Sequence, residues 1–373
     1  MNIACTNFSR HARRRNLRAR LCYLSRAVRV LIPTLILIMI GLSPGTVPAA
    51  QDLYTGEAVV EPGRAADAPA FRAALGEVLV KLTGQQALAS DPALMAAAGA
   101  PESLQVGYQF REHSLPMRDD DALKERRLVV EFDPDSINDL LADRQIPRWG
   151  VERPDILIWT VFETRDGRVE FGESESGWLE PHLEEVGRRR GLSLISPLYD
   201  GMDRSLASTE DIRGGFSEQL VDSLPRYGAD ALVLVDFREM DPGWVSSWVI
   251  RLGRQEERFV LRDDDPEPML AEGISKLADF LARRFATVRM ADPSRQQLTV
   301  SGVRGPAHFA EVLRYLNGLS LVDAVHIRRA RDDRLEFELE LNSSGLEDVL
   351  GLGDLLEYQG TDAVGGLSYR LQW

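Results

Sequence analysis

The chain of 373 residues is long enough for two or three domains, each with a core of its own. Its net charge of -14 conceals two opposite parts. Residues 1–49 carry eight arginines and no acid, and taking these from the 44 basic residues leaves 36 against 58 acidic ones, a net charge of -22. That excess repels phosphate backbones and anionic lipid, so composition argues against nucleic-acid binding.

The basic region ends at Arg29. An apolar run over residues 30–42 follows, then Ser43-Pro44-Gly45 and Val47-Pro48-Ala49-Ala50. This is the layout of a secretory signal peptide, with cleavage expected after Ala49 and Val47 at the −3 position. As a helix the 13-residue run reaches about 20 Å, short of the roughly 30 Å of bilayer hydrocarbon, so an uncleaved anchor is the alternative reading. No later stretch is long and apolar enough to span, and no integral membrane domain is expected after cleavage. Both cysteines, Cys5 and Cys22, fall in this leader. The mature chain therefore has no disulfide, thiolate nucleophile or sulfur ligand, which suits an acidic protein exported to a bacterial periplasm.

Residues 50–150 read as a first αβ unit. Residues 53–60 form a strand, and Asp67 caps a helix with Phe71, Leu75, Val78 and Leu82 on one face, stopped at Gly84. A shorter helix starts at Ser90 or Asp91 with Pro92 in its first turn. An extended stretch around Tyr108 and Phe110 precedes a strand at 128–132. Asp133-Pro134 then opens a helix with Ile137, Leu140 and Leu141 inward.

Tyr54, the helix end Val78-Leu79-Val80-Lys81-Leu82-Thr83-Gly84, Phe132-Asp133-Pro134, Pro147-Arg148-Trp149-Gly150 and Arg153-Pro154 carry a resemblance. Together they resemble the domain-of-unknown-function 2066 family, exported proteins of Gram-negative bacteria, over most of the mature chain. The resemblance implies location and architecture and assigns no catalytic residue.

Residues 151–290 read as a middle domain built on residues 231–235, an unbroken Ala-Leu-Val-Leu-Val run between Gly228 and Asp236. Its length and branching predict a strand buried on both faces. A second buried strand is expected at 156–162. A helix from about Gly177 puts Leu179, Leu183 and Val186 inward and ends in Arg188-Arg189-Arg190, where the cations complement the helix dipole. A short strand at 192–195, a helix at 216–224 with Phe216, Leu220 and Leu224 aligned, a hairpin around Trp248 and Leu261, and a helix through Leu270 and Leu281 complete it. This β-α-β-α-β-β-β-α order resembles the N-terminal domain of the Tol-system propeller protein, and also the activator lipoproteins of peptidoglycan synthases and the curli-export lipoprotein. Such relatives mostly bind other proteins.

A linker near Ala291-Asp292-Pro293-Ser294 leads to residues 296–373, whose βαββαβ order predicts a ferredoxin-like domain. In its strand at 335–341, Leu335, Phe337, Leu339 and Leu341 alternate with Glu336, Glu338 and Glu340, one face dry and one wet. The fold class expected is thus mixed αβ, α+β, in three small domains.

The sequence names no reaction. The histidines are scattered, and His182 with Glu185 supplies only two candidate ligands on one helix face, so no metal site is expected. The Gly-x-Ser-x-Gly match at 41–45 lies in the leader, outside any strand-turn-helix. Asp119-Asp120-Asp121 and Asp263-Asp264-Asp265-Pro266-Glu267 lack calcium-loop spacing and read as solvated turns. Glu173 and Glu175 are a candidate glycosidase pair without a sugar-stacking platform beyond Trp178. Gly302-Val303-Arg304-Gly305 reads as a plain turn, with no phosphate-binding lysine after it. Arg328, Arg329, Arg331 and Arg334 crowd one hairpin and read as a tip balanced by neighbouring acids.

No catalytic residue, cofactor or metal ligand is assigned. The expectation is a periplasmic adaptor that binds other envelope proteins, with Glu336, Glu338 and Glu340 as the candidate partner face. The alternatives are a cell-wall hydrolase with a Glu/Asp pair assembled across domains, and a small-ligand binder at the carboxyl ends of the middle strands.

Overall fold

Three runs of alternating or continuous apolar residues give three β-sheets, each closed by helices. The computed structural model describes residues 53–117, 122–172, 177–353, 355–362 and 365–372, and the leader lies outside this set. Residues 49–373 form one compact unit.

The first sheet has the order β1 (Thr55–Val60), β3 (Ala122–Phe132), β2 (Gln105–Pro116), antiparallel throughout. Helix α1 (Ala68–Thr83) covers one face. The Asp67 carboxylate caps it by accepting from Ala70 N at 3.1 Å, and Gly84 ends it in the left-handed conformation. Strand and helix approach so closely that a Cβ on Gly56 would lie 2.0 Å from the Ala74 carbonyl oxygen. Two shorter helices, α2 (Pro92–Ala98) and α3 (Pro134–Ala142), are capped by Asp91 and Asp133 as expected. Strand β3 starts six residues before the expected 128, because Ala-Leu-Lys-Glu-Arg-Arg pairs with β2 without showing apolar alternation.

In the second sheet β4 (Asp155–Glu163) runs parallel to β7 (Ala231–Glu239), which pairs with β8 (Trp244–Leu252), and that with β9 (Gln255–Asp263). The other edge of β4 is shared by β5 (Val169–Phe171) and β6 (Ser193–Ile195). Strand β7 is buried on both faces. Ala231, Val233, Val235 and Phe237 pack under α4 (Leu179–Arg190) and α9 (Pro266–Phe285), and Leu232 and Leu234 join the core on the opposite side. The single helix expected at 216–224 is instead a string of short turns: α5 (Asp203–Leu206), α6 (Thr209–Gly214), α7 (Ser217–Leu220) and α8 (Leu224–Tyr227). Gly215 ends α6 with φ 63° and Pro225 interrupts the hydrogen-bond ladder, which leaves Phe216 exposed rather than inward.

The third sheet has the order β11 (Val322–Arg331), β12 (Arg334–Leu341), β10 (Ser294–Ser301), β14 (Leu367–Leu371), β13 (Leu356–Thr361). With helices α10 (Pro306–Gly318) and α11 (Leu346–Leu350) between strands the element order is βαββαββ, one strand more than expected. Strand β14, not β13, lies beside β10 and runs parallel to it, whereas the expected ferredoxin-like sheet is antiparallel throughout, so the segment keeps the α+β layout without that strand arrangement. Strand β13 escapes a sequence reading because Leu-Glu-Tyr-Gln-Gly-Thr carries a bulge and one buried residue.

Candidate functional site

The first two sheets meet across a buried ionic cluster. Alternation along β3 turns Leu128 and Val130 toward α1 and Arg127 to the other face, where α4 lies. Arg127 donates to Glu185 of α4 at 2.5 Å, to Glu57 of β1 at 3.1 Å and to Glu125 at 2.9 Å. Arg188, one turn on from Glu185, donates to Glu57 at 2.9 Å and to Glu185 at 2.8 Å. Burial opposes ionisation of Glu185, but hydrogen bonds and charge from Arg188 and then Arg127 outweigh it and hold the carboxyl at about 2. The acids here are arginine-bound anions, placed to hold the joint rather than to move protons.

Beside the cluster, a groove of about 250 Å3 runs between β2 and α4, with Arg111, His113 and Leu115 on one wall and Pro181 and Glu184 on the other. Strand β2 is the edge of its sheet and pairs with no other described strand. Its ladder with β3 is regular from Gly107 to Pro116. Gln109 and Tyr108 are exposed along it.

The stretch Pro147 to Pro154 builds a second joint. Trp149 is buried in the middle core, stacked on Phe285 at 6.0 Å with the Arg153 guanidinium 4.2 Å from its ring. Arg153 donates to the carbonyls of Lys81, Gly150 and Gly191, and burial pushes its guanidinium down to about 9. Arg148 exchanges backbone hydrogen bonds with Thr287, and its side chain donates to the Tyr54 hydroxyl and Asn138 Oδ1. A cleft of about 200 Å3 opens beside these residues, closed on its far side by Ser320 and residues 342–345. Among the residues that carry the resemblance, Val78, Leu79, Leu82 and Phe132 are core of the first unit, while several others, Tyr54, Arg148, Trp149 and Arg153 among them, hold this joint. The signals available for them were a Lys at position 81 and a Trp at 149 in otherwise core-forming segments.

The residues singled out in the sequence do not converge. Glu336, Glu338 and Glu340 line one face of the third sheet, and each meets a cation: Glu336 Arg329 at 3.5 Å, Glu338 Arg328 at 2.5 Å and Glu340 Arg295 at 3.3 Å, with His326 Nε2 3.6 Å from Glu340. His182 is buried, its Nδ1 2.9 Å from the Trp178 carbonyl, while Glu185 belongs to the ionic cluster. Arg188, Arg189 and Arg190 fill the last turn of α4 as expected, and their side chains also reach Glu57, Glu77 and Asp279. Asp263 Oδ1 accepts from the backbone of Asp264 and Asp265 ahead of α9. The turn at 302–305 is held by Val303 N to the Asp333 carbonyl and Arg304 N to His308 Nδ1. Asp119, Asp120, Asp121, Glu173 and Glu175 lie outside the described residues. Among the described residues no group of three or more His, Cys, Asp or Glu side chains is placed to hold a metal ion.

Fold and geometry therefore define a mixed α/β protein of three sheets. Residues 49–150 match a family model described as Domain of unknown function (DUF8605), a span that runs from the start of the first sheet to the Trp149 joint. No curated protein matches the chain.

Proposed function

We propose that the protein is a non-enzymatic adaptor of the periplasm that binds an envelope protein by accepting a strand at the outer edge of β2. The leader-like residues 1–49 and the resemblance to the domain-of-unknown-function 2066 family support the location. One observation carries the binding mode. Natural sheets blunt their edges with bulges and charge, and β11, the outer strand of the third sheet, has both: two register shifts and Arg328, Arg329 and Arg331. Strand β2 has one shift, between Gln105 and Gly107, and Arg111, Glu112 and His113 along it, but it then continues regularly for ten residues, from Gly107 to Pro116, beside a groove that can take the side chains of an added strand. Placing a photo-crosslinking residue at Gln109, with His326 of β11 as control, tests this in cells. Capture of one protein from Gln109 through an extended segment, and not from His326, is the expected result. Equal capture from both positions, or capture from His326 alone, sinks the strand-addition reading.

A further inference from the structure

The cleft of about 200 Å3 at the Trp149 joint has room for about six or seven waters at liquid density. Its hydrogen-bonding groups are unevenly matched. The two carboxylates on its walls are already engaged: Glu152 takes the Ser320 backbone N–H and hydroxyl, both at 2.6 Å, and Asp348 takes Arg284 at 2.6 Å. The donors are not. Asn138 Oδ1 accepts from both Tyr54 and Arg148, at 2.9 and 3.1 Å, which fixes the amide orientation and leaves Nδ2 as two N–H donors with no described acceptor. Arg148 meets only neutral side-chain acceptors, and no described carboxylate pairs with it or with Arg289. Ser343 is 7 % exposed, lines the cleft, and its hydroxyl meets no described partner.

Half-buried Arg148 and exposed Arg289, neither paired with a described carboxylate, stand with the neutral donors Asn138 and Ser343 around one small cavity, a set that suits an acceptor-rich anion. We infer that the cleft is a binding site for a small oxyanion head group, carboxylate or phosphate, held between Arg148 and Arg289 with Asn138 and Ser343 donating to it. The site is separate from the β2 edge and does not depend on strand docking.

Isothermal titration of the full chain with inorganic phosphate and with succinate, at constant ionic strength set by chloride, tests it. Saturable one-to-one binding of at least one probe is expected, weakened at least tenfold by Arg289→Glu and more modestly by Ser343→Ala. Phosphate alone or succinate alone would assign the head group. No saturable heat with either probe overturns the inference. So does unchanged affinity in a variant whose melting curve shows it folded; should Arg289→Glu fail to fold, Ser343→Ala decides.

Discussion

The two joints of the molecule are built on opposite principles. Between the first and second sheets the contacts are dry: Arg127 is 5 % and Glu185 7 % exposed, Trp149 is sealed against Phe285, and Arg190 reaches Gln86, the Gly84 carbonyl and Asp279 together. Between the second and third sheets, Glu152 accepts from Ser320 and Leu352 packs on the middle core, but the one ion pair across this joint among the described residues is wet, open to solvent. Arg284 meets Asp348 with both side chains about a third or more exposed to solvent (44 % and 30 %), and Asp230 accepts from Gly353 N at 2.8 Å. The same interaction type therefore carries different weight. A pair buried away from water leaves an uncompensated charge when one partner goes, whereas an exposed pair is replaced by solvent.

The largest effect is expected at the dry joint. Glu185→Ala removes the shared acceptor of Arg127 and Arg188, and breaking such a buried arrangement costs about 3–5 kcal/mol. Urea denaturation followed by tryptophan fluorescence measures it. A loss under about 1 kcal/mol would mean that solvent reaches Arg127, and the contrast between the joints would then disappear.

Acid should act on the same joint. The folded-state carboxyl of Glu185 is held at about 2, below its ordinary 4.5. A depressed carboxylate contributes stability that is present above about 4.5 and lost as pH falls toward 2. The stability gap between the native chain and Glu185→Gln is therefore expected to be widest near neutral pH and to narrow steadily below about pH 4.5. A gap independent of pH across that window would remove the ionic account of the joint.

On the third sheet, Glu336, Glu338 and Glu340 pair with Arg329, Arg328, Arg295 and His326 across open strands. Reversing all three to lysine places like charges side by side and is expected to lower the melting temperature while leaving the fold intact, since Leu335, Phe337, Leu339 and Leu341 keep the core face. The pairing also means that this face carries little unbalanced negative charge for a basic partner. Loss of partner capture in the triple reversal, with no capture from Gln109 in the native chain, would move the docking surface from β2 to this face.

What was legible in the sequence tracks how local its cause is. The β7 run, the Asp67, Asp91 and Asp133 caps and the alternation of β12 follow from neighbouring residues, and the structure has each of them where local pattern puts it. The dry joint depends on partners far apart in the chain: Glu57 with Arg188, Lys81 with Arg153, Gly84 with Arg190. No periodicity encodes such pairs, so Arg188-Arg189-Arg190 looks in sequence like a helix end facing water. The cleft is hidden for the same reason, being assembled from Asn138, Arg148, Arg289 and Ser343.

The smallest stability effect is expected at the wet joint, and it bears most directly on whether the third sheet is a domain of its own. Its core is closed upon itself: Leu298, Val300, Val312, Leu316, Phe337 and Leu350 are buried among residues of the same segment. Arg284→Ala removes one exposed pair, which contributes about 0–1 kcal/mol. The stretch before β10 is open, with Val288, Arg289 and residues 291–293 exposed, whereas Arg295 already lies in β10 opposite Glu340. Trypsin is therefore expected to cut first at Arg289 and to spare Arg295. The released segment should fold cooperatively alone, as a unit of this size can when its core is self-contained. Circular dichroism of a chain beginning at Met290 checks this. A sigmoidal melt shared by the isolated segment and the intact chain would confirm the wet joint as a boundary between folding units. An unfolded segment would mean that Arg284, Asp230 and Glu152 together hold more than exposed contacts ordinarily do, and the two joints would then differ in solvent exposure without differing in strength.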